Sequence, residues 1–363
     1  MKFNKNTLRT AWRSNFSTYG LVLVLYGIMM LMQAQGSLSR LMKGMLVPLC
    51  VYAIAAISLN LTVGVLGELS LGHAGFMSIG CFTSALTIGL LRDSITSETL
   101  LMIIGIVVGA LCATLMGFLV GLPVLRLNGD YLAIVTLACG EIIKSLLTNL
   151  YVGKDESGIH VNMFVKTMEV ESRNMLILGP QGIKNDTKIA GFTLAVIVLL
   201  LCLVLIDNLI GSKAGRAIMA VRDNKIAARS VGIDITKYKM MAFVLSAAMA
   251  GAAGALFGQS QSAVLPSKFD FNTSILVLVF VVLGGLGNMR GSVIAAILLT
   301  ILPEKLRFLD KYRMIVYALV LIFVMLIRNT DILFRIRNAF KRLTAKLGKK
   351  DKKKPTAAAK EVE

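Results

Sequence analysis

Apolar runs long enough to cross a bilayer recur from Tyr19 almost to Arg328, and no feature of the chain constrains its fold more. A helix needs about 20 predominantly apolar residues to span hydrocarbon, and unpaired backbone groups there cost several kcal/mol each. The spans must therefore be helices or a closed barrel, and continuous runs without strict alternation select helices. The expected fold is all-α: a polytopic membrane helix bundle of about ten transmembrane helices. The runs fall at residues 19–33, 44–66, 69–91, 100–122, 131–150, 189–210, 240–263, 273–286, 292–303 and 313–327, with the first and the last three short for a bilayer. Residues 19–33 are read as span one rather than as a signal peptide cut near Ala34-Gln35-Gly36. Hydrophobic residues make up 56% of the chain and charged ones 16%, beyond the roughly 45–50% apolar share of soluble domains.

Charge supplies orientation. The 39 Lys and Arg outnumber the 20 Asp and Glu, for a net charge of +19. In a soluble protein such an excess would suggest nucleic acid; here its placement follows the positive-inside rule. Three clusters mark the cytoplasm: Lys2, Lys5, Arg9 and Arg13; Lys213, Arg216, Arg222, Lys225, Arg229, Lys237 and Lys239; and the tail after Ile327. With ten spans all three fall on the same side and both termini are cytoplasmic. The connection 150–188, with balanced charge, falls outside, and the basic stretch 304–313 is a mild exception. The expected organisation is a cytoplasmic segment 1–18, a transmembrane domain 19–327 that includes a cytoplasmic segment 214–235, and a basic cytoplasmic tail 328–363.

Several chemistries lack their residues. No G-x-x-x-x-G-K-[ST], H-E-x-x-H or G-x-S-x-G occurs, so the chain has no usual device for hydrolysing ATP. Only His73 and His160 are present, and the five cysteines lie singly inside apolar runs with no C-x-x-C spacing. No catalytic residue, cofactor or metal site is expected.

Two apolar runs are broken. In residues 59–76 four glycines and Asn60, Thr62, Glu68, Ser70 and His73 interrupt the hydrophobic pattern, and in 283–292 Gly284, Gly285, Gly287 and Gly291 do so again. Paired glycine-interrupted segments point to a transporter built from repeats, and intramembrane polar residues point to a pathway. The translocation-pathway candidates are Asn60, Thr62, Ser70, His73 and, on span five, Glu141, which shares a helix face with Lys144. Packing of a small-residue face is the other reading of the first break, and Glu68 has the cytoplasmic interface as an alternative place. The pairs Gly105/Gly109, Gly117/Gly121 and Gly254/Gly258 permit close helix crossings. Residues 215–233 alternate apolar and basic positions at helical spacing, which predicts a short amphipathic helix lying on lipid or docking in a partner groove.

These stretches, with residues 125–137, 140–144, 179–183, 214–218, 220–228 and 302–307, resemble the permease subunits of ABC importers of the branched-chain amino acid class from about Leu46 to Ile327. Residues Ile226, Ala227, Ala228 and Gly232 resemble the E-A-A-x-x-x-G coupling motif, with isoleucine at the glutamate position. The resemblance implies a multi-pass cell-membrane protein that couples to a separate ATPase, with Arg222, Asp223 and Asn224 near the contact and Gly232 ending the helix. It implies as partners a second permease subunit, two P-loop ATPase subunits and an extracytoplasmic solute-binding protein, all in the lipid bilayer or at its surface, and no nucleic acid. Branched-chain amino acids are the expected cargo; urea and short amides, or nucleosides and sugars, are the alternatives in the same permease class. Segment 153–178 is longer and more charged than the family pattern, and the Lys-rich tail is no part of it. Competing readings are an ion-coupled secondary transporter, which would want a carboxylate relay that Glu68, Glu141 and Asp207 do not make evident, and a membrane anchor, which would not need ten spans.

Overall fold

The computed structural model describes residues 5–36, 39–92, 94–127, 129–155, 158–163, 175–184, 189–306, 312 and 315–322. The tail 328–363, residues 1–4 and the end of the last expected span lie outside the described residues. The chain divides into two units, Met1–Ile301 and Leu302–Glu363. In the second unit, residues 315–322 are helical.

The first unit holds helices α1 (Lys5–Ala34), α2 (Arg40–Asn60), α3 (His73–Leu91), α4 (Glu98–Val124), α5 (Asp130–Thr148), α6 (Phe192–Gly211), α7 (Lys213–Asp223), α8 (Lys225–Ser230), α9 (Ile235–Ser260) and α10 (Phe271–Gly284), and most of α11 (Met289–Lys305). The fold is the expected all-α polytopic bundle. Among the described residues seven helical segments are long and apolar enough to cross a membrane: Met42–Leu66, His73–Leu91, Glu98–Val124, Tyr131–Thr148, Phe192–Gly211, Ile235–Ser260 and Pro266–Gly284. Of the other three expected spans, 19–33 falls on the shorter apolar stretch Thr18–Ala34 and 292–303 on α11, neither of which is among the seven, and 313–327 is described only at 315–322.

Small residues let α3, α4 and α9 cross closely. A Cβ on Gly254 would overlap the Met77 carbonyl, one on Gly109 would lie 2.8 Å from the Gly80 carbonyl oxygen, and one on Gly258 would lie 2.7 Å from Cys81 Sγ. The glycine pairs therefore serve backbone approach within the bundle. α9 is buried through most of its length, whereas α4 and α6 turn Leu111, Leu115, Phe118, Ile197 and Leu201 outward.

Two sequence expectations need correction. The third span does not begin at 69: residues 67–72 are not helical, and α3 starts at His73. Gly67 at φ +79° ends the π-helical turn Leu61–Leu66 that continues α2, a conformation glycine adopts without a Cβ penalty. The single amphipathic helix of 215–233 is two helices, because Asn224 is extended and its Oδ1 accepts from the N–H groups of Ile226 and Ala227 at 3.0 Å each, capping α8. The outer connection holds strands β1 (Leu150–Asp155), β2 (Gly158–Met163) and β3 (Met175–Leu178) in the antiparallel order β2-β1-β3. A two-residue pairing of β4 (Ile183–Lys184) with β5 (Ala263–Val264) ties this connection to the segment between α9 and α10.

Candidate functional site

The two broken segments meet. Asn60 is fully buried at the end of α2, and its amide spans the gap: Nδ2 donates to Ser292 Oγ at 2.9 Å and to the Gly285 carbonyl at 3.4 Å, while Oδ1 accepts from the Gly287 N–H at 2.8 Å. The backbones touch at the same place, since a Cβ on Gly64 would overlap Gly287 N and Asn60 Oδ1. One buried side chain thus supplies hydrogen bonds to both a broken helix end and a glycine turn.

Below this joint lies α7–α8. Arg222 Nη1 donates to the Gly64 carbonyl at 3.2 Å, and the Arg222 stem covers Gly67, whose absent Cβ would lie 2.6 Å from Arg222 Cγ. The guanidinium also binds Asp223 Oδ1 through Nε at 3.0 Å and Nη2 at 2.9 Å. A second tie runs through Glu68, whose Oε1 is 2.9 Å from Lys225 Nζ on α8 and 2.5 Å from Lys239 Nζ on α9. Glu68 and Lys239 side chains are 6% and 3% exposed, so this carboxylate balances a buried cation. On α8 Ala228 is buried while Ile226 is 84% exposed, and Val231, just after the helix, is 74% exposed. Gly232, at φ +82°, donates its N–H to Arg229 O at 3.0 Å and Ile233 N–H reaches Ala228 O at 3.1 Å, which closes the helix as a left-handed C-terminal cap.

Behind the joint a polar network links α2, α3 and α9. Ser58 Oγ donates to Ala55 O at 2.9 Å and lies 2.7 Å from His73 Nε2; Ser246 Oγ donates to Ser58 O at 2.7 Å and lies 3.1 Å from Thr62 Oγ1. His73, Thr62 and Ser70 are all buried. Asn60, Thr62 and His73 are thus gathered around the first break, in a closed arrangement. Glu141 stands apart on α5, ion-paired with Lys144 and accepting the Phe271 N–H at 3.2 Å. Reading the sequence missed Glu68–Lys239, Ser58, Ser246 and Ser292 as partners; Lys239 registers there only as an orientation charge. Among the described residues no group of His, Cys, Asp and Glu converges as a metal site would require.

Residues 41–325 match the family model described as branched-chain amino acid transport system / permease component. The high-affinity branched-chain amino acid transport system permease protein LivM of Salmonella typhimurium is 36% identical over 294 residues, which cover 78% of this chain and 68% of that protein. The probable branched-chain amino acid transport permease protein LivM of Methanocaldococcus jannaschii is 26% identical over 299 residues, 74% of this chain and 81% of that protein. The permease LivH of Salmonella typhimurium is 24% identical over 287 residues, 78% of this chain and 91% of that protein. No solved structure matches the chain.

Proposed function

Because the chain belongs to the permease components of branched-chain amino acid transport systems, we propose that this ABC importer subunit forms half of the translocation pathway for branched-chain amino acids and is driven through α7 and α8 by a separate ATPase. The observation that carries the coupling role is the pair of ties, Arg222 to Gly64 and Lys225 to Glu68, from the α7–α8 segment to the joint between the two breaks. Ile226, next to Lys225, and Val231, two residues after Arg229, are exposed apolar side chains on a basic segment, which suits insertion of a short helix into a partner groove. Displacing that helix pulls on the end of α2 and, through Asn60, on the turn after α10. A bundle with two packed arrangements converts such a pull into inward or outward opening, provided that the ATPase binds the two states unequally.

In this reading α7–α8, the first 18 residues and the tail 328–363 face the cytoplasm, and the sheet β1–β3 faces the solute-binding protein. The partners are a second permease, two P-loop ATPase subunits that carry out hydrolysis, the solute-binding protein and the bilayer. Asn60, Thr62 and His73 hold the joint closed and, with Ser70, come to line the pathway when it parts. Affinity purification of the tagged chain in mild detergent tests this: a P-loop ATPase and a second permease should co-purify, with hydrolysis stimulated by binding protein loaded with leucine, isoleucine or valine. A lone chain that transports without ATP would contradict it.

A further inference from the structure

Glu141 and Lys144 lie inside the spanning segment Tyr131–Thr148, and their side chains are 38% and 26% exposed. A charged side chain inside a spanning helix is costly to place in hydrocarbon, so such residues face water-filled cavities or polar partners rather than lipid. Their surroundings agree. Ser145 and Asn272 are exposed beside them on α5 and at the start of α10, where Asp270 caps α10 by accepting the Thr273 N–H at 2.9 Å. A cavity of about 10 Å³ next to Glu141, bordered by Leu71, Gly75, Gly140 and Phe271, has room for about one water molecule. The outward residues of α4 and α6, by contrast, are aliphatic and aromatic, among them Leu115, Phe118, Leu201 and Val204. On α5 and α10 the exposed Tyr131, Ile134, Ile142 and Ile275 are apolar as well, so Glu141, Lys144, Ser145 and Asn272 form a polar patch within the α5–α10 flank, and those outward residues of α4 and α6 carry no such patch.

We propose that the α5–α10 flank lines the solute route and that Glu141 and Lys144 receive the zwitterionic head of the cargo, the ammonium on Glu141 and the carboxylate on Lys144. The proposal rests on the permease reading above and assigns to this pair the contact with the charged head of that cargo. Glu141 Oε1 is anchored to the α10 backbone through the Phe271 N–H, while Oε2 holds Lys144 Nζ. The empty pair is neutral and so is a zwitterion, so exchanging partners leaves no net charge in a low-dielectric site. An amide or a sugar offers no charges to replace those the pair would give up, so it gains nothing by parting them.

The test uses the assembled importer in proteoliposomes with its native cysteines replaced. Ser145→Cys and Asn272→Cys should react with a membrane-impermeant thiol reagent and be protected during ATP-driven uptake, while Leu115→Cys and Leu201→Cys stay unlabelled. Failure of the first two to label, or equal labelling of all four, overturns the lining. Lys144→Gln should lower amino acid uptake about tenfold or more, the scale of a lost charged hydrogen bond, and Lys144→Arg should restore most of it. The double variant Glu141→Gln/Lys144→Met removes the pair without leaving a lone charge: uptake should stay low if the pair contacts solute, and recovery of uptake would show a structural pair and overturn the solute role. If the unsubstituted complex shows no ATP-dependent uptake, the permease reading fails instead, and the labelling contrast still decides which flank is wet.

Discussion

Arg222 on α7 and Gly64 in the π turn after α2 are joined by a hydrogen bond from Nη1 to the carbonyl oxygen at 3.2 Å, across 158 residues of sequence. A π turn leaves backbone groups out of register with their helix, and here the free carbonyl takes a cation from the segment expected to touch the ATPase. The polar groups that break the helix also give the moving part something to hold.

Gly67 tests the fit of that contact. Alanine there must adopt φ +79° and would push the Arg222 stem aside; the left-handed backbone alone costs about 1–2 kcal/mol. Gly67→Ala should lower the thermal midpoint of the purified complex and reduce uptake. Gly20→Ala, on a helix with open space around it, should change neither.

Asn60 tests the joint between the breaks. Asn60→Leu removes the acceptor of the part-buried Gly287 N–H and the donor to the buried Ser292 Oγ, and a buried polar group left without its partner costs about 1–3 kcal/mol. A clear fall in thermal stability is expected, larger than that of Ser292→Ala, which spares the Gly287 contact.

The two lysines on Glu68 should respond differently. Lys239 is 3% exposed and Lys225 is 40% exposed. Glu68→Gln strands the buried ammonium, a loss of about 3–5 kcal/mol, whereas Lys225→Gln should cost at most about 1 kcal/mol. Glu68→Gln/Lys239→Met should recover most of the loss in thermal denaturation. Equal effects of the two single changes would contradict the assignment of Glu68 as the counter-charge to Lys239.

Gly232 closes α8 with a positive φ and an N–H bonded to Arg229 O. Proline fixes φ near −65° and has no N–H, so Gly232→Pro should open the cap. Membrane insertion should persist, because the spans are untouched, while uptake falls and hydrolysis continues. Normal uptake would refute the coupling role of residues 227–232.

The bundle itself was legible, since apolar runs of spanning length leave helices as the outcome, and among the described residues seven helical segments of spanning length lie at seven of the ten expected spans. The breaks were legible too, as glycines and polar residues inside such runs. Their consequence was not: that Asn60 binds Gly287, or that Arg222 reaches Gly64, depends on contacts between segments more than 150 residues apart, and no local pattern carries them. Arg222, Lys225 and Lys239 look alike as positive charges in a loop, and only the fold separates the two that hold the α2 end from the one buried beneath it. The strands of 150–184 escaped because short segments mixing Gly, Lys and Asp with a few β-branched residues give no clean alternation.

The central claim is that α7–α8 drives the joint through Arg222, and the ratio of solute imported to ATP hydrolysed in proteoliposomes tests it most directly. With Arg222→Ala, hydrolysis stimulated by loaded binding protein should continue while solute imported per ATP falls well below that of the unsubstituted complex. An unchanged ratio, whether both rates persist or both fall together, would contradict it.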